Sequence, residues 1–164
     1  MMPRMRISAV SLLAAAVVCA GCEPGPEPLV GAWRSSLQFE DGAFAGIKDL
    51  QFMYVFNAGG TLTESSNYDG APPVPPAYGA WRRVGPNEYE ARYEFFSTAP
   101  AVAVDFLKGT GWLPAGRGVF TESIRLADDG GTFTSTLRYE PFDANGRPID
   151  GGGTARGRAV RIGS

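Results

Sequence analysis

Apolar and polar residues alternate along most of this chain, and the period of two is the feature that most restricts its fold. Successive side chains of a β-strand point to opposite faces, so strict alternation predicts strands with one buried side. Residues 88–96 show it best: one side carries Tyr89, Ala91, Tyr93 and Phe95, and the other carries Glu88, Glu90, Arg92 and Glu94. No segment keeps helical spacing over three turns. The sequence therefore predicts an all-β domain whose aromatic sides form the interior.

Eight such segments are separated by turn signals. The turns include Gly85-Pro86-Asn87 and Asp128-Asp129-Gly130-Gly131, which are typical of hairpins. The predicted strands are Leu29–Phe39, Leu50–Asn57, Thr61–Asn67, Tyr78–Val84, Glu88–Phe96, Phe120–Leu126, Thr132–Tyr139 and Thr154–Ile162. The predicted long loops are Tyr68–Ala77, Ser97–Gly118 and Asp143–Gly153.

Consecutive hairpins favour an eight-stranded antiparallel up-and-down barrel. An open sheet of this size has two exposed edges, and closure removes both of them. A β-sandwich is the alternative, but a Greek key needs a long return connection that this strand order does not supply. The interior of an eight-stranded barrel is either filled by side chains or just large enough for one small ligand.

The N-terminus predicts export and an anchor. Arg4 and Arg6 precede the apolar run Ile7–Val18, which is too short to remain as a membrane span. The following Ala20-Gly21-Cys22 resembles the lipobox of bacterial lipoproteins, in which the signal is cut before a cysteine that becomes diacylated. Cys19 departs from the aliphatic residue usual there. The alternative is an ordinary secretory signal that leaves Cys22 as a free or disulfide-bonded thiol.

The lipobox resemblance implies a lipid-anchored protein of the cell envelope. Its domains would be a signal peptide at 1–21, an acylated (palmitate-bearing) Cys22 with a proline-rich spacer at 22–28, and a barrel at 29–164. Glu23 stands where that family places an Asp to retain proteins at the inner membrane, which favours the outer membrane or the periplasmic face. The membrane is thus a predicted partner through Cys22.

Composition restricts the chemistry of the domain. The chain has no histidine and only two cysteines, so the usual ligands of zinc, copper, haem and iron–sulfur clusters are missing, as are Ser-His and Cys-His nucleophiles. We therefore predict no metal and no cofactor, and an enzyme is disfavoured. The mild net negative charge argues against nucleic acid as a partner.

Gly31-Ala32-Trp33, at the start of the first strand, resembles the Gly-x-Trp signature of lipocalins and their calycin relatives. The resemblance implies that Trp33 has a structural role and plugs the closed end of the barrel, with a basic residue of the last strand over its ring. Arg156, Arg158 and Arg161 are the candidates. The chain departs from the family in having no Thr-Asp-Tyr motif between later strands and no helix after the last strand. Gly60–Asn67 followed by Gly79–Phe96 also looks like uncharacterised secreted bacterial proteins with lipocalin-like barrels.

Two carboxylates are predicted to point inwards. Glu122 alternates with the apolar positions of its strand, and Glu64 shares a face with Leu62. A buried charge is costly unless it is paired, so each needs a partner. The candidate partners are Arg82, Arg156, Arg158, Tyr54 and Tyr93. The predicted ligand-binding residues are Glu64, Tyr89, Tyr93, Phe120 and Glu122. The alternatives are a structural ion pair in a filled barrel, or a register in which the two carboxylates face solvent.

Two tryptophans remain to be placed. Trp81 falls on the face opposite Tyr78, Ala80 and Arg82, which favours a packed residue of the outer wall. Trp112 lies in the irregular stretch of the chain, where it either caps the barrel mouth or anchors a loop.

Three functions fit the sequence. The first is binding of a small apolar or amphipathic ligand in the barrel of a membrane-anchored lipoprotein. The second is a solid-barrel structural or inhibitory module that binds an envelope protein through the loops Tyr68–Ala77 and Ser97–Gly118. The third is a cofactor-free barrel cyclase or isomerase. An open aromatic cavity would favour the first or third, and a filled barrel with exposed apolar loops would favour the second.

Overall fold

A computed structural model describes residues 27–68, 75–100 and 111–163. The eight strands form one closed barrel in which each strand pairs antiparallel with the next and β8 pairs with β1. The strands are β1 Gly31–Phe39, β2 Leu50–Phe56, β3 Thr61–Ser66, β4 Ala77–Gly85, β5 Glu88–Pro100, β6 Trp112–Leu126, β7 Thr132–Asp143 and β8 Gly153–Arg161. The predicted all-β up-and-down barrel is confirmed. The predicted signal peptide and Cys22 lie outside the described residues.

The turns form where the sequence signals them. Asn87 takes a left-handed conformation (φ 58°) between β4 and β5, one that asparagine tolerates better than most residues. Between β6 and β7, Gly130 is also left-handed (φ 68°), and its amide donates to the Ala127 carbonyl at 2.9 Å. These short connections hold successive strands antiparallel, so the apolar face of each strand turns to the same side.

Aromatic rings fill the barrel from end to end. A continuous series of ring contacts, with centroids 4.9–6.2 Å apart, runs along the interior. Such spacings are those of favourable aromatic pairs. In order, the rings are Trp33, Phe133, Tyr54, Phe52, Phe120, Tyr139 and Phe44.

Trp33 closes the end of the barrel at which β1 begins. Its ring is fully buried, and its indole Nε1 donates to the Leu29 carbonyl at 2.9 Å. The Arg161 guanidinium lies over the ring at 4.2 Å and donates through Nη1 to the Val30 carbonyl at 2.8 Å. The expectation of a basic residue over Trp33 is therefore confirmed, and the residue is Arg161.

The β1–β2 loop covers the other end. Its Phe44 is partly buried and packs on Phe39, Tyr68 and Tyr139, with ring centroids 5.2, 5.6 and 4.9 Å away. The loop is held by the amide of Ala43, which donates to the Gly151 carbonyl at 3.1 Å. Both ends of the interior are thus capped by aromatic side chains.

The placement of Trp81 on the outer wall was wrong. Trp81 is 8% exposed, packs against Tyr89 inside the barrel, and donates its Nε1 hydrogen to the carbonyls of Asn57 and Thr61. On β4 it is Tyr78 that faces outwards, with 63% of its surface exposed. Gly79 occupies the neighbouring inward position, where a Cβ would lie 2.5 Å from the Tyr93 Cα. An inward glycine carries no apolar signal, so alternation assigned the faces of β4 the wrong way round.

The predicted loop Ser97–Gly118 is partly strand. β5 continues to Pro100 and β6 begins at Trp112, and these extensions pair with each other. Prolines at 100 and 114 concealed the strands in the sequence, because proline is unusual inside a sheet; it is tolerated at an open edge. In the described part of the chain, no helix is long and apolar enough to cross a membrane.

Replacing Trp33 tests the plug. We expect Trp33→Ala to lower the free energy of unfolding by about 3–5 kcal/mol, because it leaves a cavity and removes the surface under Arg161. Trp112→Ala is the matched control: Trp112 is 43% exposed, and its loss should cost no more than about 0.5 kcal/mol. Chemical denaturation of both variants measures the difference, and equal effects would show that Trp33 does not hold the end of the barrel together.

Candidate functional site

Two glutamates lie inside the barrel, as the sequence predicts. Glu64 on β3 is 4% exposed and Glu122 on β6 is fully buried. Glu64 stands opposite Tyr54 of β2, and Glu122 stands opposite Ala91 of β5. Both carboxyls therefore sit at mid-height, between the aromatic rings that close the two ends.

A chain of hydroxyl groups reaches one of the carboxyls. The Tyr93 hydroxyl donates to Glu122 Oε2 at 2.8 Å, and the hydroxyls of Tyr54 and Tyr93 are 3.2 Å apart. Because Tyr93 gives its hydrogen to Glu122, Tyr54 must be the donor to Tyr93. Of the partners proposed from the sequence, the two tyrosines are correct for Glu122.

The proposed arginine partners are wrong. The side chains of Arg82 and Arg156 are 75% and 78% exposed and pair on the outer wall with Glu90 and Glu40. Arg158 is also exposed. All three occupy outward positions of their strands. The buried residues of the described chain include no Arg or Lys, so no cation there balances the two carboxyls.

Burial without a counter-charge changes the acidity of both glutamates. Desolvation raises the pKa of Glu64 to about 8, and the nearby Glu122 charge adds to the rise. Desolvation also raises the pKa of Glu122, while the hydroxyls of Ser135, Tyr93 and Tyr54 act in the opposite direction. Desolvation likewise raises the pKa values of Tyr54 and Tyr93 well above 10.0, so both hydroxyls keep their hydrogens. Glu64 is therefore mostly protonated at neutral pH, and both phenols stay neutral. We call Glu64, Glu122, Tyr54 and Tyr93 the acid layer.

The layer is not fully satisfied. Oε1 of Glu64, Oε1 of Glu122, the Tyr89 hydroxyl and the Ser135 hydroxyl are buried without a hydrogen-bond partner. Ser135 is close enough to Glu122 to lower its pKa, yet it makes no bond of normal geometry. Each such group costs about 1–3 kcal/mol when left unpaired. These unpaired groups lower the free energy of unfolding, so the layer does not stabilise the fold.

The structure brings most of the predicted ligand-binding residues together. Tyr93 and Phe120 are cross-strand neighbours with rings 5.2 Å apart, and Glu122 accepts from Tyr93. Tyr89 does not belong to this group, because it faces Ile124 and packs on Trp81 towards the end that Trp33 closes. The predicted binding role of these residues stays a prediction.

In the described part of the chain, Tyr93, Phe120 and Glu122 line no open cavity. They are between 0% and 3% exposed, whereas a cavity large enough for a ligand would leave part of them accessible. A cavity of about 920 Å³ lies along the wall and includes Tyr89 in its lining. The lining combines outward residues, among them Arg125, Arg156, Arg158, Ser123, Thr134 and Thr136, with the buried Leu37 and Ile124. In its described part, therefore, the barrel is filled.

The buried polar residues that the sequence did not single out are Ser35 and Ser135. Both fall on the inward side when the alternation of β1 and β7 is followed. A small polar residue at an inward position of a strand was the sequence signal that could have identified each of them. No group of three or more His, Cys, Asp or Glu residues that could hold a metal ion occurs in the described chain.

The longest hairpin leaves the barrel. The last pairing of β4 with β5 joins Tyr78 to Glu94, and β7 pairs with β6 no further than Gly116. Beyond these points β5 and β6 pair with no other described strand, and their mutual pairing continues from Thr98–Pro114 to Pro100–Trp112. We call residues 96–100 and 112–115 the β5–β6 arm. Its exposed apolar side chains are Phe96 (77%), Leu113 (48%) and Trp112 (43%).

Comparison with known proteins gives no assignment. The chain matches no family model, no curated protein and no solved structure.

Glu64 makes stability fall as pH rises. Between its ordinary pKa of 4.5 and its folded pKa of about 8, the folded state holds a proton that the unfolded chain has released. Stability is therefore greatest below about pH 4.5 and is lost up to pH 8, by about 1.4 kcal/mol per pH unit at most. We expect Glu64→Gln to raise the free energy of unfolding by about 3–5 kcal/mol at pH 8 and to change it little at pH 4.5.

Denaturation curves measured from pH 4.5 to 9 test this prediction. Glu94→Gln is the control, because Glu94 lies on the outer wall in an exposed ion pair with Arg117 and should change stability by no more than about 0.5 kcal/mol. Wild-type stability that stays level or increases from pH 5 to 8 would contradict the prediction.

Proposed function

We propose that the protein is a cell-envelope lipoprotein whose filled barrel is a rigid scaffold that presents the β5–β6 arm to an envelope protein. The observation that carries the proposal is the exposure of Phe96, Leu113 and Trp112 on a hairpin that extends past its neighbours. Trp112 and Leu113 are successive residues of β6 and therefore face opposite sides of the arm, so exposed apolar side chains occur on both of its faces. Aromatic residues are the side chains most enriched at the centres of protein interfaces.

The filled interior supports a role performed from the surface. The Phe120 ring packs on both Phe52 and Tyr139, and Phe44 of the β1–β2 loop packs on Tyr139. A barrel packed in this way holds its outer surface and its projecting strands in fixed positions. Rigid elements present binding groups with little loss of entropy on association.

The arm is protected against indiscriminate strand pairing. Neither of its edges pairs with another described strand, and an open strand edge invites aggregation. Pro100 and Pro114 remove amide donors from these edges. Recognition through the side chains of Phe96, Leu113 and Trp112 therefore fits the arm better than addition of a strand.

Cys22 supplies the anchor in this proposal. Glu27 lies five residues after it and pairs with Arg83 at 3.6 Å, beside the start of β5. The spacer thus reaches the barrel at the end opposite the arm, so an anchor at Cys22 leaves the arm accessible. Two acyl chains hold a protein stably at a membrane, whereas one chain does not.

A photo-reactive amino acid placed in the arm tests the partner. With the probe at Phe96 or Leu113, irradiation of the native host should give one discrete cross-linked product of higher mass. The same probe at Val160, which is 41% exposed on β8, is the control and should give none. The arm proposal fails if Phe96, Leu113 and Val160 give the same pattern.

Substitution of the cysteine tests the anchor. We expect Cys22→Ser to move the protein from the membrane fraction to the soluble fraction, because the acylation site is lost. Fractionation followed by immunodetection measures the shift. Unchanged membrane retention would exclude Cys22 as the anchor.

A second candidate function is favoured by the acid layer. The unpaired oxygens of Glu64 and Glu122 lower stability, and costly buried polar groups are most often kept for function. An amphipathic molecule with an apolar body and a hydrogen-bond donor or cationic group would satisfy both carboxyls. It would have to enter past Phe44, displacing side chains that now fill the interior.

Native mass spectrometry of the protein purified gently from its own host tests this candidate. Ligand capture predicts a bound small molecule whose occupancy falls in Glu122→Gln while the fold is retained. An apo mass that persists after addition of lipid extracts would exclude ligand capture.

A further inference from the structure

One side of the barrel wall carries no acidic group. The outward residues of β2, β3 and β4 are Gln51, Met53, Val55, Thr61, Thr63, Ser65, Tyr78, Ala80 and Arg82. Seventeen Asp and Glu residues occur in the chain, and the neighbouring strand β5 alone places Glu88, Glu90 and Glu94 on the outside. We call the outward side chains of β2, β3 and β4 the β2–β4 wall.

Apolar side chains at the centre of the β2–β4 wall are exposed and adjacent. Tyr78 is 63% exposed, Met53 53% and Val55 47%. Thr63 lies between Val55 and Tyr78 in the register of the three strands. The three large side chains thus form one strip across adjacent strands.

Both neighbouring strands place an arginine near this strip. Arg34 of β1 stands opposite Met53, and Arg92 of β5 stands opposite Ala80. Neither arginine forms an ion pair with another described residue. The β5 residue opposite Tyr78 is Glu94, whose carboxylate is paired with Arg117 at 3.1 Å. An apolar strip that ends in a tyrosine and has arginines on the strands beside it is complementary to an anionic lipid surface: the apolar groups enter the interface and the guanidinium groups meet phosphate.

The spacer begins beside this same wall. The ion pair between Glu27 and Arg83 places the start of the described chain at the end of β4. Glu27 is five residues after Cys22, and five fully extended residues span no more than about 18 Å. A lipid on Cys22 would hold the β2–β4 wall close to the bilayer.

We propose that the β2–β4 wall lies against the lipid surface in which Cys22 is anchored, with Met53, Val55 and Tyr78 in the headgroup region and Arg34 and Arg92 on lipid phosphates. The barrel then rests on its side, and the β5–β6 arm extends along the membrane surface towards its partner. This inference rests on the proposed lipid anchor and is independent of what the arm binds.

Nitroxide labels report the contact directly. The full-length lipidated protein is reconstituted into vesicles of phosphatidylethanolamine and phosphatidylglycerol, with one label at Ser65→Cys in the wall. Thr136→Cys, an exposed threonine on β7 across the barrel from β3, carries the control label. With Cys22 acylated, each introduced thiol is the one available for labelling.

The proposal predicts that the ratio of collisions with oxygen, which concentrates in lipid, to collisions with a water-soluble nickel chelate is severalfold higher at Ser65 than at Thr136. Adding Met53→Ser and Tyr78→Ser to the Ser65→Cys variant should remove the difference. Both substituted positions are exposed, so folding should survive, and circular dichroism checks it.

The other outcomes are distinct. If the protein does not stay with the vesicles, the lipid anchor itself fails and the wall inference falls with it. If the protein stays bound to the vesicles but both labels collide equally with the nickel chelate, the lipid anchor is supported and the inference about the β2–β4 wall is overturned. A Ser65 label shielded from both reagents in native membranes, but not in vesicles, would show that a protein covers the wall, which also overturns it.

Discussion

The pairing of β8 with β1 is the contact on which the rest of this structure depends. It joins the first and last strands over seven residue pairs, from Trp33–Arg161 to Phe39–Ala155. Closure removes the two edges of the sheet and creates an interior that only inward side chains can fill. It also places Arg161 over Trp33, so the residue that seals one end is supplied by the strand that closes the barrel.

The interior combines stabilising aromatic packing with a destabilising acid layer. Ring contacts run from Trp33 to Phe44 and bury large apolar surfaces, each worth a few kcal/mol. In the middle of this series, Glu64 and Glu122 have no cation to balance them and leave carboxyl oxygens without partners. The barrel tolerates Glu64 because its raised pKa of about 8 keeps it mostly protonated near neutral pH, so its contribution to stability is greatest in mild acid.

The charge and the apolar character of the outer surface differ from one side of the barrel to another. Ion pairs such as Arg82–Glu90 and Arg125–Glu88 cover part of the wall and contribute little to stability because they are exposed. The β2–β4 wall has no acidic residue, and the β5–β6 arm has exposed aromatic groups at the end opposite the spacer. In the proposed arrangement, the first surface contacts lipid and the second contacts a protein.

The sequence by itself determined the strand count, the strand order, the closed barrel and the inward direction of Glu64 and Glu122, because all of these follow from alternation and turn signals within single strands. It did not determine the inward position of Trp81, since Gly79 beside it carries no apolar signal. Nor did it show the β5–β6 arm. Pro100 and Pro114 indicate a loop unless the strands that carry them are known to lie at an open edge of the sheet. Only the tertiary structure decided that Arg161 lies over Trp33, that Arg82, Arg156 and Arg158 point away from the carboxyls, and that the interior is filled. Those outcomes depend on register between strands distant in sequence and on how closely side chains pack across a closed barrel, and neither is set by local periodicity.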